Sequence, residues 1–259
     1  MLRIIFILLL PLLLFSKMQV LTYFPLETNI INKIAQNEIK TREISSRYLE
    51  TYTELPFSEI SRLANSRIFF HFGLDIEKKY AQILLNQNPN LIVVDISLNV
   101  NKINNNPYIW TDPLNLRVVS KNIYDAFVKY DKNNESYYKE NYEKYLDEID
   151  QTFLKIKQKL NSCDIQYIYV FDNYWDYYAT RFGIVTVQRA KKILNISEIS
   201  QTNAFTKDKN IKKLLFSRND NHEYILSLTN NLSVTAVEDD IFNSTWQLNL
   251  LNLTQNLSN

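Results

Sequence analysis

Short apolar runs alternate with segments of helical spacing along most of the chain. In the first half, runs typical of buried strands lie at Val20–Phe24, Arg67–His71 and Leu91–Asp95, with helical spacing at Leu26–Gln36 and Glu77–Asn86. Strands that alternate with helices favour an α/β architecture with mainly parallel sheets. A polar, asparagine-rich loop is predicted at Asn99–Asn106, and a helix is predicted after Pro113.

The second half of the chain repeats this alternation. The predicted strands are Ile165–Phe171, Ile184–Val187, Leu214–Ser217 and Ser233–Val237, and the predicted helices are Tyr174–Phe182, His222–Asn230 and Ser244–Leu257. The polar segment Asn195–Lys209 is predicted to be an irregular surface loop. The sequence contains no repeat of a fixed short period.

The longest regular pattern predicts a helix over Ser136–Leu160. Its apolar positions recur every three or four residues and form one stripe, made of Tyr138, Tyr142, Tyr145, Ile149, Phe153, Ile156 and Leu160. About twenty-five residues rising 1.5 Å each give roughly 37 Å, the height of a small domain. The pattern fits a rigid strut between two lobes and equally an ordinary amphipathic surface helix.

Residues 1–18 are predicted to be a secretory signal peptide. Arg3 supplies a basic start, and the apolar run Ile4–Phe15 is shorter than the ~20 residues needed to span a bilayer. The small-residue cleavage pattern is missing. Cleavage between Ser16 and Gln19 and retention as an uncleaved membrane anchor therefore both stay open. We expect a mature protein in the periplasm.

Composition excludes several common kinds of site. Lys and Arg number 29 against 28 Asp and Glu, a net charge of +1, so no overall charge favours nucleic acid. With Gly73 and Gly183 as the only glycines, neither a G-x-G-x-x-G turn nor a Walker A loop can form. The H-E-x-x-H, C-x-x-C and G-x-S-x-G motifs are missing, and we do not expect an enzyme. Cys163, the only cysteine, is expected to be a buried structural thiol.

One octet carries the strongest functional signal. Residues 106–113, Asn-Pro-Tyr-Ile-Trp-Thr-Asp-Pro, resemble a metal-binding signature of bacterial transport proteins in which Tyr108 replaces the ligating histidine. Further segments resemble the same family in the same order, at 22–26, 54–60, 72–74 and 171–183. Together they resemble the zinc/manganese family of ABC-transporter solute-binding proteins over nearly the whole mature chain.

The resemblance implies a two-lobe architecture. Each lobe would have a mainly parallel sheet flanked by helices, and one long backbone helix would join them. The N-terminal lobe is expected at 19–132, the linking helix at 133–161 and the C-terminal lobe at 162–259. The implied function is that of a monomeric periplasmic protein that captures a metal ion in the cleft between the lobes and delivers it to an ABC permease in the inner membrane.

The resemblance also places four candidate ligands. In chain order, the positions of the three histidine-type ligands and the final aspartate fall on Thr51, Tyr108, Asp172 and Asp239. The first alignment is loose by a residue or two, so Glu50 and Tyr52 are also candidates. His71 could replace a lost nitrogen ligand, or it could end a strand with its ring bonded locally.

The chemistry of these candidate ligands does not identify the metal ion. Carboxylate and phenolate oxygens suit harder cations than imidazole does, and zinc, manganese and iron all stay candidates. A tyrosine deprotonates only with a strongly acidic metal such as ferric iron. In one alternative, the protein is a degenerate relative that binds no metal and acts as an envelope protein-interaction scaffold. Tyr108 would then be a packing residue, and Asp172 would cap the helix that starts near Tyr174. In another, the cleft holds a small organic ligand or metal chelate against aromatic residues such as Trp110, Tyr174 and Trp175.

Overall fold

The computed structural model describes residues 17–188 and 194–259. Its first sheet contains β1 (Met18–Thr22), β2 (Ile39–Glu43), β3 (Ile68–His71) and β4 (Ile92–Asp95). All neighbouring strands are parallel, in the order β2-β1-β3-β4. Helices α1 (Pro25–Ala35), α2 (Phe57–Ala64) and α3 (Asp75–Gln87) connect the strands, and α4 (Pro113–Tyr130) follows them. These elements form the N-terminal lobe.

The longest element is α5 (Glu135–Asn161), with 27 residues, and it lies within the predicted linking segment. It packs against α1 and α4 of the N-terminal lobe. Asn141 donates a hydrogen bond from Nδ2 to the carbonyl of Ile34 at 3.1 Å. The Tyr145 hydroxyl accepts one from Nε1 of Trp246, a residue of the C-terminal lobe, at 2.9 Å. The helix therefore contacts both lobes, as a strut would.

The second sheet contains β5 (Tyr167–Val170), β6 (Val185–Gln188), β7 (Lys213–Ser217) and β8 (Thr235–Asp239). Its order, β6-β5-β7-β8, repeats the arrangement of the first sheet, and all its neighbouring strands are parallel. Helices α6 (Asp176–Phe182), α7 (Ile196–Asp208), α8 (His222–Leu232) and α9 (Trp246–Ser258) complete the C-terminal lobe. The predicted α/β class, with two mainly parallel sheets and one long helix, is confirmed.

Buried side chains form two clusters of unequal size. The larger one runs without interruption from the N-terminal sheet through α4 and α5 into the C-terminal lobe, where it includes Trp175 and Leu250. The smaller one lies in the C-terminal lobe and contains Tyr169, Leu214 and Leu228. Because the larger cluster contains residues of both lobes, apolar burial connects the lobes as well as forming each one.

Helix α7 and strand β2 are among the elements that differ from the sequence-based expectation. The predicted loop at Asn195–Lys209 is mostly helix α7. Asn195 caps this helix by accepting the N–H of Glu198 at 2.9 Å, and the buried positions are the threonines Thr202 and Thr206. A helix whose buried face is made of threonine shows little apolar periodicity. Strand β2 was not predicted, because it is an edge strand in which only Ile39 is fully buried.

The other predicted strands and helices lie within about two residues of the observed bounds. Cys163, expected to be buried, is partly exposed after the end of α5. Of the predicted signal peptide, only Lys17 and Met18 lie among the described residues. No helix in the two described ranges is long and apolar enough to cross a membrane.

Candidate metal site in the cleft between the lobes

The octet joins the two lobes. It follows the N-terminal sheet and forms a short 3₁₀ turn at Ile109–Thr111 before α4. The Trp110 indole donates from Nε1 to the carbonyl of Ile241 at 2.7 Å, in the loop after β8. Asp112 accepts the Arg181 guanidinium from α6 at 2.8 Å. Both bonds connect N-terminal residues to C-terminal ones.

Asn106, the first residue of the octet, forms a third connection. Its amide donates to the carbonyl of Asn173 at 2.6 Å. Its own carbonyl accepts the Tyr177 hydroxyl of α6 at 2.6 Å. The side chains of Asn106, Trp110 and Asp112 therefore all form hydrogen bonds between the lobes.

Tyr108 has a different environment from the rest of the octet. It is half-buried, and its ring meets the Tyr174 ring edge-on, with centroids 4.7 Å apart. Burial raises the pKa of its hydroxyl, and the nearby carboxylates of Glu50 and Asp172 raise it further. Hydrogen bonds with the side chains of Tyr48 and Tyr174 favour a lower pKa but offset only part of this increase. The hydroxyl is thus neutral at physiological pH.

The donors around Tyr108 come from both lobes. Glu50 precedes α2 in the N-terminal lobe, and its Oε1 accepts the Tyr174 hydroxyl at 3.1 Å. Asp172 follows β5 in the C-terminal lobe, and its charge raises the pKa of both Tyr108 and Tyr174, although burial is the largest cause for each. We call Glu50, Tyr108, Asp172 and Tyr174 the oxygen cluster.

Aromatic rings adjoin the oxygen cluster. Tyr48 of the N-terminal lobe and Phe242 of the C-terminal lobe stack in parallel, with ring centroids 3.7 Å apart. Phe242 also contacts Tyr108, Trp110 and Phe24 at centroid distances of 5.9, 5.9 and 6.1 Å. This part of the cleft between the lobes is filled with rings.

Asp239 is sealed away from the oxygen cluster. One of its carboxylate oxygens accepts a hydrogen bond from Nε1 of Trp175 at 2.7 Å, and the other accepts one from Nδ2 of Asn249 at 2.8 Å. It is 5% exposed, and burial raises the pKa of this carboxyl to about 6. Neither of these side-chain hydrogen bonds leads to Tyr108 or Asp172.

The predicted first ligand does not hydrogen-bond to the oxygen cluster either. Thr51 is exposed, and its hydroxyl forms no hydrogen bond within residues 17–188 and 194–259. Tyr52 packs against the Tyr80 ring at 5.2 Å and lies under the Lys79 ammonium at 3.9 Å. Of the three alternatives considered for this position, only the Glu50 carboxylate reaches the oxygen cluster.

His71 lies beside a buried pair of carboxyl groups. Its Nδ1 is 3.9 Å from Oε2 of Glu77, and burial lowers the pKa of its imidazole. Glu27 and Glu77 are both fully buried, and each accepts backbone N–H groups, from Tyr23 at 2.5 Å and from Leu74 at 2.7 Å.

Burial raises the pKa of Glu77 to about 7 and raises that of Glu27 as well. Two carboxyl groups that hydrogen-bond to each other share a proton, because like charges disfavour full ionisation. His71 therefore lies beside this carboxyl pair, and its Nδ1 forms no hydrogen bond with any described residue.

The alternative role of Asp172 as a helix cap is wrong. Helix α6 begins at Asp176, and the residue in the cap position is Trp175. Tyr48 and Phe242 were not among the predicted site residues. Their position in the cleft depends on how loops from opposite lobes meet, which residue spacing does not reveal.

Among the described residues, no group of three or more His, Cys, Asp or Glu side chains could hold a metal ion. A metal in this cleft would therefore need phenol oxygens, water or an outside ligand in addition to Glu50 and Asp172. Hard cations accept such oxygen donors.

The fold and this cluster define a two-lobe binding protein whose candidate site lies between two parallel sheets. Residues 20–247 match the family described as zinc-uptake complex component A, periplasmic (ZnuA). The chain belongs to this family, whose members are periplasmic metal-binding receptors of ABC importers.

Solved structures share the fold at low identity. A crystal structure of ZnuA superposes with a TM-score of 0.83 at 16% identity, covering 94% of this chain and 98% of that one. A periplasmic metal-binding protein from Candidatus Liberibacter asiaticus gives 0.81 at 16% identity, covering 93% and 98%. The cadmium-bound form of that protein gives 0.80 at 16% identity, covering 93% and 100%.

Proposed function

We propose that this protein is the solute-binding component of a metal-ion ABC importer. It captures one metal ion in the cleft and delivers it to a permease in the inner membrane. The observation that carries this proposal is the oxygen cluster, in which Glu50 and Tyr108 of one lobe approach Asp172 and Tyr174 of the other. Secretion through residues 1–18 and a monomeric state belong to the same proposal.

The cluster suits a hard cation better than zinc. Its donors are carboxylates and phenols, which favour manganese or iron, whereas imidazole favours zinc. The raised pKa values of Tyr108 and Tyr174 disfavour phenolate in the metal-free protein. A strongly acidic ion such as Fe³⁺ can displace the phenol proton, whereas Mn²⁺ would depend on the carboxylates. Either ion would reduce the repulsion between Glu50 and Asp172.

The proposed ligand set revises the sequence-based one. Tyr108 and Asp172 are retained, and Glu50 is preferred to Thr51. Asp239 is left out because it is buried within the C-terminal lobe, where it accepts hydrogen bonds from Trp175 and Asn249.

Metal titration tests the proposal directly. Purified protein is mixed with Mn²⁺, Zn²⁺ or, under anaerobic conditions, Fe²⁺ while the unfolding temperature is recorded. Binding to the folded state alone adds about 2.7 kcal/mol of stability at a hundredfold excess over Kd. We expect a shift with manganese or iron, reduced by Tyr108→Phe. Tyr130→Phe, on α4, is the matched control and should leave the shift intact.

A second function is favoured by the aromatic contacts. The Tyr48–Phe242 stack and the hydrogen bonds of the octet join the lobes without any metal. A protein held together in this way could act as an envelope interaction scaffold. The absence of a stability shift with every metal tested would favour this function over metal capture.

A further inference from the structure

A cavity opens beside the oxygen cluster, and its lining points to a particular form of cargo. We propose that the protein takes up its metal as a complex with a small anionic carboxylate chelator, not as a bare ion. This inference rests on the proposed importer function and specifies what the cleft receives.

The cavity has the size of a small-molecule site. Its volume is about 610 Å³, and its walls include Tyr48, Glu50 and Tyr108 together with Lys78 and Lys102. Pockets for small organic ligands span roughly 300–1,000 Å³. A bare cation, coordinated by oxygens at about 2.0–2.6 Å, requires no space of this kind. The cavity therefore has room for a molecule next to the metal.

The charges on the wall fit a ligand with both a cation and free carboxylates. Lys78 is paired with Asp75 at 3.2 Å. Lys102 forms no ion pair with any residue in the described ranges, and its ammonium stays exposed. An ammonium group on the cavity wall repels a bare cation but attracts a carboxylate. The metal of a chelate would meet Glu50 and Tyr108, while its carboxylates would meet Lys102.

The number of protein ligands supports the same conclusion. Hard cations take six or more oxygen ligands. The oxygen cluster has two carboxylates and two phenols, and the described residues contain no cluster of three acidic or imidazole ligands. A chelator would complete the coordination shell. Ferric ion in particular hydrolyses and precipitates in neutral water unless a chelator holds it, so it reaches a protein as a complex.

Ferric citrate is the probe for this inference. Wild-type protein, Lys102→Gln and the control Lys129→Gln, an exposed lysine on α4 outside the cavity wall, are titrated with ferric citrate, with citrate alone and with Mn²⁺ alone. We expect Lys102→Gln to weaken ferric citrate binding about tenfold and to leave Mn²⁺ binding unchanged or tighter. Lys129→Gln should match the wild type, and Lys102→Arg should restore binding. Radiolabelled citrate should stay with the iron–protein complex during gel filtration.

The possible results separate the two proposals. Binding of Mn²⁺ without ferric citrate, retention of iron without citrate, or an unchanged affinity in Lys102→Gln would overturn the chelate proposal and leave the importer function standing. Equal binding of citrate alone and ferric citrate would show an anion site unrelated to metal and would also overturn it. If neither metal nor complex binds, both proposals fail.

Discussion

Asp172 and Asp239 both lie at the end of a parallel strand in the C-terminal sheet, yet their surroundings are opposite. Asp172 is half-buried beside the hydroxyls of Tyr108 and Tyr174, whose pKa values its charge raises. Asp239 is buried and hydrogen-bonded at both oxygens. Residue type at an aligned position therefore does not define a ligand, because the burial of the carboxylate and the side chains around it also differ.

The same contrast holds in the N-terminal lobe. Glu50 is exposed and reaches across the cleft to Tyr174, whereas Glu77 is fully buried beside Glu27. The molecule thus has carboxylates of exposed or partly exposed residues, Glu50 and Asp172, which we call open, and carboxyls of buried residues, Glu77 and Asp239, which we call sealed. We expect the open ones to govern metal binding and the sealed ones to govern stability and its pH dependence.

The largest expected effect concerns the sealed Glu77. Its folded-state pKa of about 7 exceeds the ordinary value of 4.5, so the folded state binds this proton more tightly than the unfolded state. The stabilisation is complete below pH 4.5 and is lost as the pH rises to 7. Glu77→Gln should remove roughly 3 kcal/mol of this pH dependence, as measured by urea unfolding in metal-free buffer.

Glu140→Gln is the control for this measurement, since Glu140 is an exposed carboxylate on α5 whose pKa is lowered by Lys144. It should leave the decline of stability between pH 4.5 and 7 in place. Equal pH dependence in the wild type and Glu77→Gln would show that the buried pair does not hold a proton.

A smaller effect is expected from Asp239→Ala. Truncation leaves the indole N–H of Trp175 and the amide of Asn249 without their acceptor, which costs about 2 kcal/mol of unfolding free energy. The adjacent and more exposed Asp240, paired with Arg218 at 3.6 Å, provides the control, and Asp240→Ala should cost less than about 1 kcal/mol. Similar losses in the two variants would contradict the sealed environment of Asp239.

The smallest effect tests the aromatic contact between the lobes. A double-mutant cycle of Tyr48→Leu and Phe242→Leu should give a coupling energy of about 1 kcal/mol in chemical unfolding, as expected for an aromatic pair. Pairing Tyr124→Leu with Phe242→Leu is the control and should show no coupling. A zero value for the Tyr48–Phe242 cycle would mean that the stack does not join the lobes in solution.

The octet shows which parts of the site the sequence could predict. Its resemblance to a metal-binding signature correctly indicated the family, but the side chains of Asn106, Trp110 and Asp112 form hydrogen bonds across the lobes. Retention of these residues is therefore compatible with a changed ligand at Tyr108. The motif reports the two-lobe architecture more directly than the metal.

The periodic spacing of apolar residues predicted most strands and helices, because buried positions recur at regular intervals in each element. This signal is missing where threonines replace apolar residues on the buried face, as in α7. The burial and hydrogen bonding of Asp239 could not be predicted from such local spacing. Its partners Trp175 and Asn249 lie 64 and 10 residues away in the chain, and only the folded structure brings them to both of its oxygens. The Tyr48–Phe242 stack has the same long-range origin.

Comparing Asp172→Asn with Asp239→Asn in one metal titration tests the central claim most directly. Both variants keep the size of the side chain, and Kd is measured by calorimetry for whichever of manganese or iron stabilises the wild type. We predict that Asp172→Asn weakens binding at least tenfold, about 1.4 kcal/mol, while Asp239→Asn changes Kd less than threefold. A large loss of metal affinity in Asp239→Asn, with no loss in Asp172→Asn, would contradict the assignment of open and sealed carboxylates.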